Sequence, residues 1–373
     1  MSLCQRNVAH GANDMSILGV IRWDAWYSWD QAAISGEAQK QFSVAGLQSR
    51  APWFAQVASP YLLKCVGTQA NVDTECQVAA TAGIDYFAFM NYQSGSPLGY
   101  ADANMSLAWN YYQASPNQNL IKWCWMTQEA QWRSANFGDN TWRPFLANIA
   151  TTQCKQSSYQ KVMGNRPLVF IFNVPGTVNT ANLAAAVGYF RSQCTGVGLD
   201  TPYMVMQTDG GGTAAQLAAR ATACGLDAVA NYGAPLLQEF VSPIPGSYDT
   251  VEAGMQANWA VQAAAGKVIP TGCSGWDTRC RIRAPEANSH RPPRVGDLLY
   301  WNNPTPARVA QHIQSLMSFV AANPSACEAQ AALLYSWTEC TEGSVRALIP
   351  TLGDPPVNGT TNLLTAVKGV LRP

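Results

Sequence analysis

The chain has 373 residues and no formal net charge; 47% of its residues are hydrophobic and only 12% are charged. Globular chains carry about 25% charged residues, so this surface must rest on Gln, Asn, Ser, Thr and Ala. Neutrality excludes a nucleic-acid binder, which needs a basic patch, and no run of 18 apolar residues exists to form a membrane span.

The first residues, MSLCQRNVAHGANDMS, contain no apolar stretch of the signal-peptide kind. The expectation is therefore a cytoplasmic or particle-associated protein, such as a virion component, rather than a classically secreted one. The 11 Cys form no CxxC pair, and His10, His290 and His312 are far apart, so neither a structural zinc nor a cofactor is expected. Most thiols should be reduced and buried. Cys273 and Cys280 flank a tight loop and are the one pair placed to meet.

Taken in chain order, short apolar runs alternate with Ala-rich stretches that carry helix caps. SILGVIRW (16–23) is the first predicted strand, and the segment 30–72 after it reads as a loop. DTECQVAATAG (73–83) reads as a helix capped by its Asp or Thr and closed by Gly83, before the strand IDYFAFMNY (84–92). LIKWCWM (120–126) is the third strand, followed by a helix over 139–154. PLVFIFN (167–173), helix 180–194, PYMVMQT (202–208), helix 212–225, LDAVANY (226–232) and helix 250–266 continue the pattern. KVIPTG (267–272), a Pro-rich loop over 282–304, a helix over 305–323 opening on Thr-Pro, AALLYSW (331–337) and a last helix over 361–371 complete it. The strands lack strict alternation, as strands buried on both faces do. Eight repeats of strand then helix predict an α/β fold, a single-domain (β/α)8 barrel over 1–373 with long loops at its C-terminal face. The competing doubly wound sheet would want GxGxxG after its first strand, which is absent.

In such a barrel the chemistry sits at the C-terminal strand ends. Strand by strand, those positions offer Asp24, Trp26 and Tyr27; Asn91 and Tyr92; Gln128, Glu129 and Trp132; Asn173; Gln207 and Asp209; Tyr232; Trp276, Asp277 and Arg279; and finally Glu339 and Glu342. Amides and aromatic rings suit a polyhydroxylated ligand, and paired carboxylates suit acetal cleavage. The bland readings weigh against individual members: Asp277 with Arg279 reads equally well as a loop ion pair, Glu129 as a solvated acid, and Asp85 and Asp227 as structural caps. For Glu339 and Glu342, isolated burial is costly and proximity perturbs proton affinity, so a functional pair is the stronger reading.

The segment SWTECTEGSVRALIPT resembles the NEWxEGxxxxPT-like stretch of glycoside hydrolase family 99 and its WbsX-like polysaccharide-locus relatives. AATAGIDYFAFMNY, WCWMTQEAQWR, YQKVMGNRPLVFIFN and VIPTGCSGWDTRCR resemble further family segments in the same order, so the likeness runs over most of 16–351. The resemblance implies a retaining, endo-acting hydrolase of α-mannoside-like linkages. It implies that Glu339 is the base on the sugar 2-hydroxyl and Glu342 the acid/base at the glycosidic oxygen. Thr338 and Cys340 stand where the family has Asn and Trp. The expected partner is thus a polysaccharide or oligosaccharide. The alternatives are a non-catalytic glycan-binding barrel of a larger assembly and, third, a glycosyl-transferring enzyme, for which no DxD motif or phosphate pocket is visible.

Overall fold

The computed structural model describes residues 16–29, 34–42, 46–59, 62–92, 103–132, 142–208, 211–233, 247–277, 280, 304–342 and 347–372. Eleven strands are found among them: β1 (Ile17–Arg22), β2 (Gln56–Ser59), β3 (Leu62–Lys64), β4 (Tyr86–Met90), β5 (Lys122–Gln128), β6 (Lys161–Val162), β7 (Arg166–Phe172), β8 (Tyr203–Thr208), β9 (Ala228–Asn231), β10 (Thr271–Cys273) and β11 (Ala331–Tyr335). The helices are α1 (Ile34–Lys40), α2 (Gln69–Ala82), α3 (Leu107–Ala114), α4 (Trp142–Asn148), α5 (Thr180–Gly196), α6 (Ala214–Ala223), α7 (Tyr248–Ala265), α8 (Pro306–Ala322) and α9 (Asn362–Leu371).

Eight strands run parallel in the order β10-β11-β1-β4-β5-β7-β8-β9. The two ends meet just before β10, where Val229 N–H donates to Lys267 O at 3.0 Å and Ile269 N–H to Val229 O at 3.0 Å. The chain is therefore a (β/α)8 barrel. The run 267–272 is only partly strand: Pro270 has no N–H to give to a ladder, so regular pairing with β11 starts at Thr271.

The barrel interior is packed with side chains. Gly19 on β1 faces Tyr86 on β4, and a Cβ there would lie 2.1 Å from the ring. The space lets the Tyr86 hydroxyl cross the interior to donate to Ala332 O at 3.0 Å. Helix caps follow the sequence grammar: Thr305 caps α8, with Pro306 at its first position, and Thr213 caps α6. One cap differs from expectation. α2 begins at Gln69, not near Asp73, because the Thr68 N–H and hydroxyl both donate to Asn71 Oδ1, at 2.9 and 2.8 Å.

The segment 30–72 is not merely loop. It contains α1, a short 3-10 turn (Gln48–Arg50) and the antiparallel β2–β3 pair. β2 is exposed along its whole length, so no alternation of apolar residues marks it. Most of the Pro-rich stretch 282–304 lies outside the described residues. Cys273 and Cys280 form no disulfide: each is a buried thiol, donating to Gly275 O at 3.1 Å and to Thr341 O at 3.0 Å respectively. Among the described residues no helix is long and apolar enough to cross a membrane.

Candidate active site

β11 is buried throughout and delivers its last side chain, Tyr335, to the barrel mouth. The chain then bends: Trp337 N–H donates back to Ile21 O at 2.7 Å, and Glu339 N–H donates to Ser336 Oγ at 3.1 Å. Glu342 N–H donates to Glu339 O at 3.2 Å, which folds the two acids into one tight turn. Glu339 is 3% exposed, while Glu342 is half-buried.

Each acid is held by a different tyrosine. The Tyr232 hydroxyl, one residue beyond β9, donates to Glu339 Oε2 at 2.9 Å. The Tyr335 hydroxyl donates to Glu342 Oε2 at 2.5 Å. The rings pack edge to face with centroids 5.0 Å apart. Burial pushes both phenols well above their ordinary pKa, and the charges of Glu339 and Glu342 push both further. Two consequences follow. The phenols stay protonated and so remain donors, and both carboxylates act on both rings, which puts the acids in one electrostatic cluster.

Aromatic rings extend from this pair on either side. Phe172, ending β7, lies 4.6 Å from Tyr232, and Trp276 lies 5.6 Å from Tyr335. Gly233, at φ +65, is what lets Trp276 close in; a Cβ there would stand 2.9 Å from its ring. Trp23 Nε1–H donates to the Tyr92 hydroxyl at 3.0 Å. Trp23, Tyr92, Phe172, Tyr232 and Trp276 are all half-buried, so their ring faces line the mouth rather than the core.

The other sequence-marked positions divide sharply. Gln128 is half-buried, and Asn173 is exposed with φ +59 just past β7; both join the mouth. Asn91, Glu129 and Gln207 are buried at the strand ends, where Gln207 Nε2–H donates to Asn231 O at 3.0 Å and Gln131 Nε2–H to Asn91 O at 3.3 Å. Trp132 is fully buried and donates from Nε1 to Thr127 Oγ1 at 2.8 Å. Asp277 is buried against Arg50, 3.4 Å from Nη1. Asp209 and Arg279 lie outside the described residues.

Asp24, Trp26 and Tyr27 turn inward as well. Arg22, at the end of β1, points between the sheet and α2, where Nη2–H donates to Asp24 Oδ1 at 2.9 Å and to the Tyr27 hydroxyl at 2.8 Å, and Nη1 pairs with Glu75 Oε2 at 3.0 Å. Burial works against the Arg22 charge, yet Asp24 and Glu75 outweigh it and its pKa is raised. Burial also raises the pKa of Asp24 and Glu75 against the pull of Arg22. The cluster touches the acid loop at two points. Trp337 Nε1–H donates to Glu75 Oε2 at 2.7 Å, and the Thr338 side chain bonds Asp24. Thr338 also accepts from Trp23 N–H at Oγ1 and from Trp26 Nε1–H at its carbonyl, both at 2.7 Å. These residues therefore support the site from beneath; their polar atoms are committed inside the protein.

The sequence reading passed over Arg22, Arg50, Phe172 and Tyr335. For Tyr335 a signal existed: it stands two residues beyond Leu333, on the inward face, at the strand's last position. Among the described residues no group of three or more His, Cys, Asp or Glu is placed to hold a metal ion.

No protein-family model and no curated protein sequence matches the chain. Solved structures do match over nearly its whole length. A glycoside hydrolase-like protein is similar with a TM-score of 0.59 at 13% identity, over 98% of this chain and 96% of the other. The GH99 endo-alpha-mannosidase from Bacteroides thetaiotaomicron is similar with a TM-score of 0.51 at 14% identity, over 94% and 95%. At these identities the likeness is one of fold, and the fold is the barrel described above.

Proposed function

We propose that the chain is a glycoside hydrolase of the family 99 kind, retaining and endo-acting on α-mannoside-like linkages, with Glu339 and Glu342 as its catalytic acids. The observation that carries this reading is the pair itself: two carboxylates in one turn beyond β11, each oriented by its own phenol. The half-buried rings around them suit sugar faces, and the near-neutral surface suits an uncharged polymer. The fold neighbours named above are in keeping with it.

The chemistry follows from the difference between the acids. Glu339, nearly enclosed, takes the proton of the sugar 2-hydroxyl, and that oxygen attacks the anomeric carbon. Glu342 gives its proton to the departing glycosidic oxygen, leaving a 1,2-anhydro sugar. Glu342 is open enough to meet water; it takes a proton from water as the hydroxyl oxygen adds to the anomeric carbon, and the 2-oxygen regains its proton from Glu339. Two inversions give net retention, and one acid serves in both steps. Tyr92, Gln128, Phe172, Asn173 and Trp276 are the assigned contacts to the glycan.

The test is release of reducing ends from yeast mannan and α-linked manno-oligosaccharides by the wild type, Glu339→Gln and Glu342→Gln. Turnover by the wild type, with a loss of about 10³-fold in each folded variant, is the expected result. Full activity in both variants removes the assignment, and tight binding without turnover by the wild type favours a glycan-binding barrel.

A further inference from the structure

Arg50 is 1% exposed and ends the 3-10 turn Gln48–Arg50, in a part of the chain with no sequence signal. The turn is fixed from outside the barrel. Trp53 N–H donates to Pro350 O at 3.0 Å, Leu352 N–H to Ala51 O at 2.9 Å and Gly353 N–H to Ser49 O at 2.8 Å. Residues 49–53 are thus strapped to 350–353, just beyond the acid loop.

From this strap one guanidinium reaches both loops of the mouth. Nη2 donates to Asp277 O at 2.7 Å and to Cys340 O at 3.0 Å, and Nη1 lies 3.4 Å from Asp277 Oδ2. Cys340 is one of the two residues between the acids. Asp277 in turn donates its N–H to Glu342 O at 2.7 Å. The loop after β10 and the loop after β11 therefore meet at Arg50, and Glu342 is gripped through Asp277 while the middle of its turn is gripped through Cys340. A buried ion pair adds little net stability beyond what apolar residues would supply. Its directional hydrogen bonds do fix geometry: one nitrogen of the planar guanidinium, Nη2, donates to two carbonyls, an orientation that a flexible ammonium reproduces only in part.

We propose that Arg50 is a positioning residue for the acid pair: it sets the β11 turn against the β10 loop, so that Glu342 reaches the glycosidic oxygen while Glu339 stays on Tyr232. The inference rests on the hydrolase reading for its kinetic consequence and on geometry alone for its structural one. The two are tested separately.

Arg50→Ala and Arg50→Lys are compared with the wild type on the α-linked manno-oligosaccharide it cleaves, with and without added guanidinium chloride at sub-denaturing concentration. A misplacement of about 1 Å costs on the order of 10²-fold in rate. The expected result is a fall of that size in kcat with KM nearly unchanged, partial recovery of Arg50→Ala by guanidinium but not by potassium, and an intermediate rate for Arg50→Lys. In the same preparations, hydrogen exchange should quicken at the backbone N–H of Asp277 and Glu342 and not in the β4–β7 strands. A folded Arg50→Ala with wild-type kcat, or one that guanidinium does not restore, overturns the proposal. If Arg50→Ala does not fold, Arg50→Lys decides by the same split: kcat lowered at constant KM supports it, and wild-type kcat overturns it. A wild type without turnover sinks the hydrolase reading, and the exchange data still decide the placement: unchanged exchange at Asp277 and Glu342 overturns it.

Discussion

The barrel carries acids at both of its ends, and the two ends treat them differently. At the N-terminal face, Asp85 accepts from Leu18 N–H at 2.8 Å and pairs with Arg372 at 3.1 Å. Asp227 accepts from Met204 N–H at 2.8 Å and pairs with both Arg166 and Arg191 at 2.8 Å. Each ties the start of one strand to its neighbour, with cations cancelling its charge. At the C-terminal face, Glu339 and Glu342 accept from phenols. A phenol orients a carboxylate through a neutral hydrogen bond, whereas the acids of the N-terminal face pair with cations. Carboxylates are structural rivets at one end; at the other, on the proposed function, they are the reagents.

Exchanging the acids for amides breaks the comparison most directly. Glu342→Gln should lower kcat by about 10³-fold while leaving the melting temperature near that of the wild type. Asp227→Asn should do the reverse. It strips two arginines of their partner and is expected to cost about 1–3 kcal/mol of stability, read by urea denaturation, with kcat unchanged. A drop in kcat for Asp227→Asn at full occupancy of the folded state would mean that the two ends are coupled and the division is false.

The division also separates two pH responses. His312 on α8 lies behind β10, stacked on Trp259 with centroids 5.3 Å apart, and accepts from Cys273 N–H at Nε2, 3.3 Å away. Burial, with Arg308 nearby, lowers its pKa from 6.5 to about 4. Glu252, 3.9 Å from Nδ1, is the acid facing it. Because the folded-state pKa lies below the unfolded one, the unfolded chain binds the proton more tightly. The contribution of His312 is complete above 6.5 and is lost as pH falls towards 4. That interval corresponds to about 3 kcal/mol. Denaturation midpoints of the wild type and His312→Gln should therefore converge as pH drops from 7 to 4, independently of any pH–rate profile. Parallel curves over that range would show that His312 is not the group responsible.

Much of the barrel was legible because its strands are buried on both faces, so Val, Ile, Phe and Leu run without interruption and the caps between them are local. The placing of Glu339 and Glu342 followed from counting those strands. What was not legible depended on where the chain returns to itself. Asp24, Trp26 and Tyr27 follow β1 and read as mouth residues, but Ala25 N–H bonds Trp23 O at 3.3 Å and the turn buries Asp24 and Tyr27 on Arg22 and Trp26 against Phe42 and Thr338. Asp277 was balanced between ligand and ion pair; it is buried 3.4 Å from Nη1 of Arg50, while Arg279 lies outside the described residues. Nothing near Arg50 announces the bond, because its partners stand 227 and 290 residues away. The β2–β3 pair was invisible for a different reason: an exposed strand has no pattern to show.

The finest distinction lies between the two phenols. Tyr232→Phe and Tyr335→Phe each delete one hydroxyl and keep the ring packing. Each leaves one carboxylate short of a donor, and a hydrogen bond to a charged group is worth about tenfold in rate. The two losses should respond differently to the leaving group. In the proposed mechanism Glu342 protonates the departing oxygen, which an alcohol requires and an activated phenol does not. With a dinitrophenyl α-mannoside the Tyr335→Phe defect should shrink towards wild type, since proton donation no longer limits the first step. In the same mechanism Glu339 acts on the 2-hydroxyl, whose attack is needed whatever departs, so the Tyr232→Phe defect should persist with both substrates. If both variants recover together, or neither does, the two acids do not divide the work as their phenols suggest. If Tyr232→Phe alone recovers, the roles are reversed, and the nearly enclosed acid is the one that serves the leaving group.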